Sequence, residues 1–402
     1  MQITQLAALA AFSASVLAYG TKDVRNLHVT RNKSQLLLDG KPWKAVGANI
    51  YWLGLDENVI PKDKSAPFYA PYNASYPTKG RVSEIMDTVR TLGGTAIRAH
   101  TLGVSTGCPL SIWPAPHETN AQAFEAIDWA VYQARLYGLR LLVPLTDNYA
   151  YYHGSKFDFL QWAGYNISGT DRTNPIVAKF YTNETVIALY HDYIRALITH
   201  RNPYTKLTYA EDPTIFAFET GNELTGPVWL DMDIPVSWLQ STARLLKQLA
   251  PAKLVVDGTY GINGSHLTVD EVDIVSNHFY PLNATKVREN ADLAVSGGKV
   301  FLAGEYSWTS PGLEAFFSEL ENHPGVGGDM FWSLFGHNVP DCSTYVDHVD
   351  GFTLQYGNPL NSADTNARIK LIRQHLMAAG QKKSITADAA LPPVACPGCR
   401  VH

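Results

Sequence analysis

Eight short apolar runs, most of them followed by an amphipathic helical segment, leave this chain few ways to fold. The runs are Ala45–Ile50, Thr95–Ala99, Arg140–Pro144, Thr214–Glu219, Lys253–Asp257, Asp273–His278, Lys299–Gly304 and Gly328–Ser333. They are rich in Val, Ile, Leu and Phe and mostly lack strict polar alternation, as strands covered on both faces do. Between them, Arg81–Leu92 places Val82, Ile85, Met86, Val89 and Leu92 on one stripe and stops at Gly93-Gly94. Ala121–Tyr137, Thr185–Ile198, Trp238–Leu249, Ala284–Val295, Pro311–Glu321 and Asn366–Met377 read the same way. Ser265–Val272 is too short for a full helix, so one crossover is abbreviated. Strands alternating with helices predict a closed (β/α)8 TIM barrel in the α/β class. A doubly wound open sheet is the runner-up, but no Gly-rich phosphate loop follows the first run.

A single catalytic domain over residues 20–385 is expected, preceded by a leader (1–19) and followed by a tail (386–402). Leu27–Thr30 and Gln35–Lys41 flank a turn near Asn32 and predict a hairpin closing the barrel bottom. Two connections are long, Pro144–Asn183 and Leu334–Pro359. Both fall on the C-terminal face, where loops of such length wall a functional groove.

The leader reads as a secretory signal: Leu6–Leu17 is a short apolar stretch, and Val16-Leu17-Ala18 puts small residues before a cut. Six Asn-X-Ser/Thr sequons, at Asn32, Asn73, Asn166, Asn183, Asn263 and Asn283, fit a secreted, extracellular glycoprotein. No other stretch is long and apolar enough for a membrane span. A net charge of −5 without a Lys/Arg cluster argues against nucleic acid or an anionic membrane as partner. A monomer is expected. Four cysteines suit an oxidising compartment. Cys396-Pro-Gly-Cys399 reads as a local disulfide rather than half a zinc site, which leaves Cys108 and Cys342 to pair.

The chemistry lies at the strand ends. They carry Arg98 and His100, Asp147 and Asn148, Asn222 and Glu223, His278 and Tyr280, Glu305, and Trp332. A barrel interior has no use for an Arg, a His and two Glu together, because each unpaired charge costs several kcal/mol. Carboxyls at the C-terminal ends of parallel strands are where a barrel enzyme keeps its reaction. Two of them facing across a sugar are what glycoside hydrolysis needs, one to protonate the leaving oxygen and one to attack or to activate water. Nine Trp and 21 Tyr supply stacking surfaces for sugar rings, and Trp52, Trp113, Trp162 and Trp308 are candidates alongside ordinary packing. Tyr51 stands where it can line the cleft and Asp147 where it can bond at the rim. His153, His337 and His348 lack ligand spacing, so neither metal nor cofactor is expected. No Gly-X-Ser-X-Gly elbow points to a serine hydrolase.

Val46-Gly-Ala-Asn-Ile-Tyr-Trp52, Ile97-Arg98, Asp212-Pro-Thr-Ile-Phe-Ala217, Gly221-Asn-Glu-Leu224, His278-Phe-Tyr-Pro281, Gly304-Glu-Tyr306 and Phe331-Trp-Ser333 together resemble glycoside hydrolase family 5. The likeness falls within the clan of retaining barrel glycosidases, especially fungal endo-β-1,4-mannanase-like members, and runs from about residue 27 to 380. It implies Glu223 as acid/base, Glu305 as nucleophile and Asn222 as donor to the sugar 2-hydroxyl. It further implies Arg98 and Tyr280 as partners of the nucleophile, His278 beside the acid, and Trp332, with Trp52, as sugar contacts. An Arg98 charge beside Glu305 and a carboxylate beside Glu223 would then separate the two into base and acid. The implied substrate is a β-mannan or related cell-wall polysaccharide. Leu224-Thr225 stands where mannanases commonly have Pro-Arg, and Ala99-His-Thr-Leu-Gly103 where many carry an aromatic. An exo-β-mannosidase or a β-glucan-cleaving relative therefore stays open, as do a transglycosylase and a catalytically silent sugar-binding barrel.

Overall fold

The computed structural model describes residues 23–57, 74–226, 230, 232–339, 342–346, 348, 350–386 and 389–397. The expected leader, Asn73 and Cys399 lie outside them. Eight parallel strands close a barrel: β1 (Ala45–Asn49), β2 (Ala96–Arg98), β3 (Arg140–Pro144), β4 (Ile215–Glu219), β5 (Leu254–Asp257), β6 (Ile274–Phe279), β7 (Val300–Ser307) and β8 (Val326–Trp332). Each pairs with its sequence neighbour, and β8 pairs back to β1 in parallel through Gly328–Ala45 to Phe331–Ala48. Closure overturns the open-sheet alternative.

The crossovers are helices α1 (Lys79–Leu92), α2 (Ala121–Tyr137), α3 (Glu184–Ile198), α4 (Val236–Leu249), α5 (Ala284–Ser296), α6 (Leu313–Asn322) and α7 (Ala363–Gln381). Thr78 caps α1 by accepting from Arg81 N, and Gly93 ends it at φ 99°, a conformation side chains resist. Between β5 and β6 the crossover shrinks to a 3-10 turn, Gly264–Thr268, as the short segment there predicts.

Two apolar layers result. Inside the barrel, Ala45, Ala96, Leu142, Phe216, Leu254, Leu302 and Met330 meet Val29 and Leu36 of the N-terminal hairpin. Trp43 caps this layer edge-on to Phe216, 5.5 Å between centroids. The hairpin, Val29–Asn32 with Gln35–Leu38, thus seals the bottom. The second, larger layer lies between strands and helices. With the bottom sealed by the hairpin, the opposite rim is the open end of the barrel.

The cysteines depart from the expected pairing. Cys342 of the loop after β8 bonds Cys396 of the tail, with Cα atoms 5.8 Å apart, within disulfide reach. Cys108 is unpaired, its Sγ 3.0 Å from Ser111 Oγ. The tail packs against the loop after β8 and the start of α1, where Tyr356 Oη donates to Pro392 O at 2.6 Å and Pro397 lies beside Gly80. Spacing in sequence carries no trace of that return.

One buried cation holds α7 to the barrel. His375 lies 2.8 Å from Glu321 and 3.0 Å from Asp329, its ring stacked 4.1 Å above Phe317. Burial opposes the charge, but Asp329 and Glu321 outweigh it and push the imidazole pKa up to about 9. An unfolded His titrates near 6.5. Because the folded value is the raised one, this stabilisation is complete below about pH 6.5 and is lost as pH rises through about 9. The span corresponds to roughly 3 kcal/mol. Urea unfolding from pH 6 to 10 should show wild type and His375→Gln far apart at pH 6 and converging by pH 10. A gap independent of pH would refute the charged assignment.

Candidate active site

The rim site is built outward from Arg98, the last residue of β2 and fully buried. A lone guanidinium there would be prohibitive, and four acceptors share it. Nε donates to Glu219 Oε2 at 2.8 Å, Nη1 to Glu305 Oε1 at 2.6 Å and to Asn49 Oδ1 at 3.1 Å, and Nη2 to Asn222 Oδ1 at 2.8 Å. Asn49 in turn donates to the carbonyls of Gly304 and Met330, at 2.9 and 3.1 Å. A planar fork suits this task; a lysine ammonium could not span it.

Glu305 is aimed by an irregularity in β7. The β6–β7 pairing runs Ala303 with Asn277 and then jumps to Glu305 with His278, so Gly304 is the extra residue. A Cβ at Gly304 would come within 2.6 Å of Ser276 Oγ and 2.8 Å of His278 Nε2, which explains the glycine. Tyr280 Oη donates to Glu305 Oε2 at 3.0 Å, and His100 Nε2 lies 3.6 Å from Oε1.

Glu223 stands just past β4 with φ +48°, a left-handed backbone that costs about 1–2 kcal/mol for a side-chain-bearing residue. Neighbouring loops impose it. Asn222 bridges Asp147 on one side and Leu224 bridges Thr259 on the other, so the segment hangs between the ends of β3 and β5. The carboxylate is held at both oxygens, Oε1 by His278 Nδ1 at 2.6 Å and Oε2 by Tyr149 Oη at 2.8 Å. One oxygen each of Glu223 and Glu305 and a ring nitrogen of His278 lie within 4.8 Å of one another.

The electrostatics reverse part of the expected order. Burial raises the Glu223 pKa, but the hydrogen bond and charge of His278 outweigh it and hold the carboxyl below the usual range. Glu305 is pushed up by burial, with Glu223 adding to it, in spite of His278 and Arg98. Burial lowers His278, yet Glu305 and Glu223 lift it above its ordinary value. His278 Nδ1 lies 2.6 Å from Glu223 Oε1, so the three groups titrate together. Nearby Asp147 is pushed up to about 7 by burial, although Tyr149 N and Asn222 Nδ2 both donate to it.

Arg98, Asn222, Glu223, His278, Tyr280 and Glu305 come together as the motifs imply. Trp332 joins them, stacked at 5.4 Å on Tyr51 and donating from Nε1 to Asp350 at 2.7 Å. Trp52 does not. It is 1% exposed, packed against Phe335 under the Arg81 guanidinium, and it donates to Leu334 O. Trp113 and Trp308 are likewise core residues, and Trp162 packs edge-on to Trp113. Tyr51 is also buried, serving as the floor beneath Trp332. Glu219, Asn49 and Tyr149 are the partners that motif reading passed over. A charged residue inside the apolar run Ile-Phe-Ala-Phe-Glu was the available signal for Glu219.

Glu223, His278 and Glu305 are close enough to share an ion. Glu84, His337 and Cys396 form a second such group, but its sulfur is committed to the disulfide. No helix among the described residues is long and apolar enough to cross a membrane.

Comparison with known proteins places this geometry in context. The model of the family described as GH family 5 beta-mannosidase-like matches residues 26–285. A putative mannan endo-1,4-beta-mannosidase P of Arabidopsis thaliana is 27% identical over 314 residues, covering 77% of this chain and 68% of that protein. Across the plant relatives matched, the chain spans from 47% to 81% of their length. Among solved structures, the endo-1,4-beta-mannanase of Rhizomucor miehei superposes with a TM-score of 0.69 at 19% identity, covering 89% of this chain and 100% of that one. A glycoside hydrolase family 5 mannosidase from the same organism gives 0.65 at 15%, covering 89% and 98%. At these identities the superpositions speak for the fold.

Proposed function

The chain belongs to the β-mannosidase-like enzymes of glycoside hydrolase family 5, and from that premise we propose that it is a secreted retaining endo-β-1,4-mannanase working through Glu223 and Glu305. The observation that carries the reading is the approach of the two carboxylates to within 4.8 Å, oxygen to oxygen. Retaining glycosidases keep the pair about 5–5.5 Å apart, and inverting enzymes leave at least about 6.5 Å for a water.

In this reading Glu305 attacks the anomeric carbon while Glu223 protonates the departing glycosidic oxygen. Water, deprotonated by Glu223, then releases the sugar from Glu305. Arg98 and Tyr280 aim the Glu305 oxygens and stabilise the charge that returns to them when the ester breaks. Glu223 receives the proton it must donate from His278, which already lies against Oε1. Asn222 spends one Nδ2 hydrogen on Asp147 and keeps the other for a sugar hydroxyl. Trp332, backed by Tyr51, forms the platform under the sugar at the cleavage point. The leader and the sequons support export of a single catalytic domain, residues 20–385, acting alone on a cell-wall polysaccharide.

Product analysis on mannan, glucomannan, β-glucan and an aryl β-mannoside tests this directly. Manno-oligosaccharides released early, with the β configuration kept at the new reducing end, are the expected outcome. Mannose alone would favour the exo alternative, and cleavage confined to β-glucan would overturn the substrate assignment. Longer oligosaccharides built from short ones would mark transglycosylation. No cleavage of any substrate would leave only a sugar-binding barrel.

A further inference from the structure

The grip on Glu223 has two halves of different origin. His278 comes from β6, whereas Tyr149 comes from the long loop after β3. Tyr149 is placed there by backbone, not by chance packing. Asn222 N donates to Thr146 O at 2.8 Å and Asn148 N to Asn222 O at 3.1 Å, extending the β3–β4 pairing beyond the barrel rim. Asp147 Oδ1 then accepts from both Tyr149 N, at 2.9 Å, and Asn222 Nδ2, at 3.1 Å. One carboxyl oxygen thus ties the residue before Glu223 to the backbone of Tyr149. The far face of the phenol is occupied by the Arg172 guanidinium, 5.4 Å from the ring centroid.

We propose that Tyr149 is the positioning residue for the acid/base, its hydroxyl orienting Glu223 Oε2 and exchanging its role in that hydrogen bond as the carboxyl gains and loses its proton. The proposal rests on reading Glu223 as the acid/base. A phenol donating to a carboxylate favours the charged form. When Glu223 carries its proton on Oε2, the bond must reverse, carboxyl O–H to phenol oxygen, or be surrendered to the glycosidic oxygen. Removing the hydroxyl therefore makes Glu223 hold its proton more firmly. The acid form then persists to higher pH, and it is the weaker proton donor.

The test is kcat/KM against pH for wild type, Tyr149→Phe and Glu223→Gln, on a β-1,4-manno-oligosaccharide and on a dinitrophenyl β-mannoside whose leaving group departs without a proton. Tyr149→Phe should move the alkaline limb on the oligosaccharide upward by roughly half to one pH unit. It should lower kcat about 3- to 30-fold and leave kcat/KM on the activated glycoside unchanged. Superimposable pH profiles would overturn the proposal, since a merely structural tyrosine changes yield or stability without moving a limb. Oligosaccharide turnover by Glu223→Gln would instead remove the reading of Glu223 on which it rests. Should Tyr149→Phe not fold, 3-fluorotyrosine at the same position is a near-isosteric and stronger donor. It should move the limb downward, and an unmoved limb there refutes the proposal equally.

Discussion

Glu305→Gln should abolish turnover of any glycoside, activated or not, by about a thousandfold or more, some 4 kcal/mol of lost barrier reduction. The amide matches the carboxyl in shape but cannot form the glycosyl ester. The fold should survive, because Arg98 keeps its second carboxylate, Glu219, at 2.8 Å. Burial and the neighbouring Glu223 already press against the Glu305 charge. A neutral side chain there should therefore leave the melting temperature at neutral pH unchanged or higher. Glu223→Gln should be as inactive on oligosaccharides but should retain formation of the glycosyl-enzyme from a dinitrophenyl glycoside, where no acid is needed. Rapid-quench detection of the trapped ester separates the two variants. Normal turnover in Glu305→Gln, or an ester formed elsewhere, would end the two-glutamate reading.

Arg98→Met carries the second large effect, on stability as well as rate. The guanidinium is the one cation that joins Glu219 and Glu305, and both carboxylates are buried with it. Its loss leaves two buried like charges without the cation they share. Breaking a buried ion pair from one side costs about 3–5 kcal/mol. Arg98→Lys should recover little of this, since an ammonium cannot satisfy Glu219, Asn49, Glu305 and Asn222 together. Arg98→Met combined with Glu219→Gln should be more stable than Arg98→Met alone, because one orphaned charge is gone. Urea unfolding of wild type, Arg98→Met, Glu219→Gln and the double variant closes the cycle. A loss below about 1 kcal/mol in Arg98→Met would mean the carboxylates take up protons instead of needing the cation.

What sequence reading reached, it reached through periodicity and strand ends. Val82, Ile85, Met86, Val89 and Leu92 on one stripe are a helix against a barrel whatever the partner strands are, because 3.6-residue spacing is a property of the chain alone. Boundaries moved by up to four residues: Trp238–Leu249 became Val236–Leu249 and Asn366–Met377 became Ala363–Gln381. The convergence of Arg98, Asn222, Glu223, His278, Tyr280 and Glu305 was legible for a related reason. Parallel strands of a closed barrel all end on one face, so residues that follow them must meet.

Trp52 marks the limit of that logic. It stands three residues past the end of β1, yet it turns into the layer under Phe335 and Leu334. A residue past the strand end obeys local packing and not strand direction. The disulfide fails for another reason, since Cys342–Cys396 depends on a tail that returns to the loop after β8 across 54 residues of chain. Tyr149 was visible only as one aromatic among several in a long loop. Its meaning comes from the Asp147–Asn222 bridge, a contact between segments 75 residues apart.

The order of apolar runs and turn residues by itself determined a closed parallel barrel and the rim on which its carboxyls stand, because local periodicity and strand polarity need no long-range information. Only the tertiary structure decided how protons are shared at that rim. His278 holds Glu223 below the usual carboxyl range, and Glu305 feels its burial more than its arginine. Those balances depend on distances of a few ångströms and on the exclusion of water, and neither quantity exists until the strands have closed.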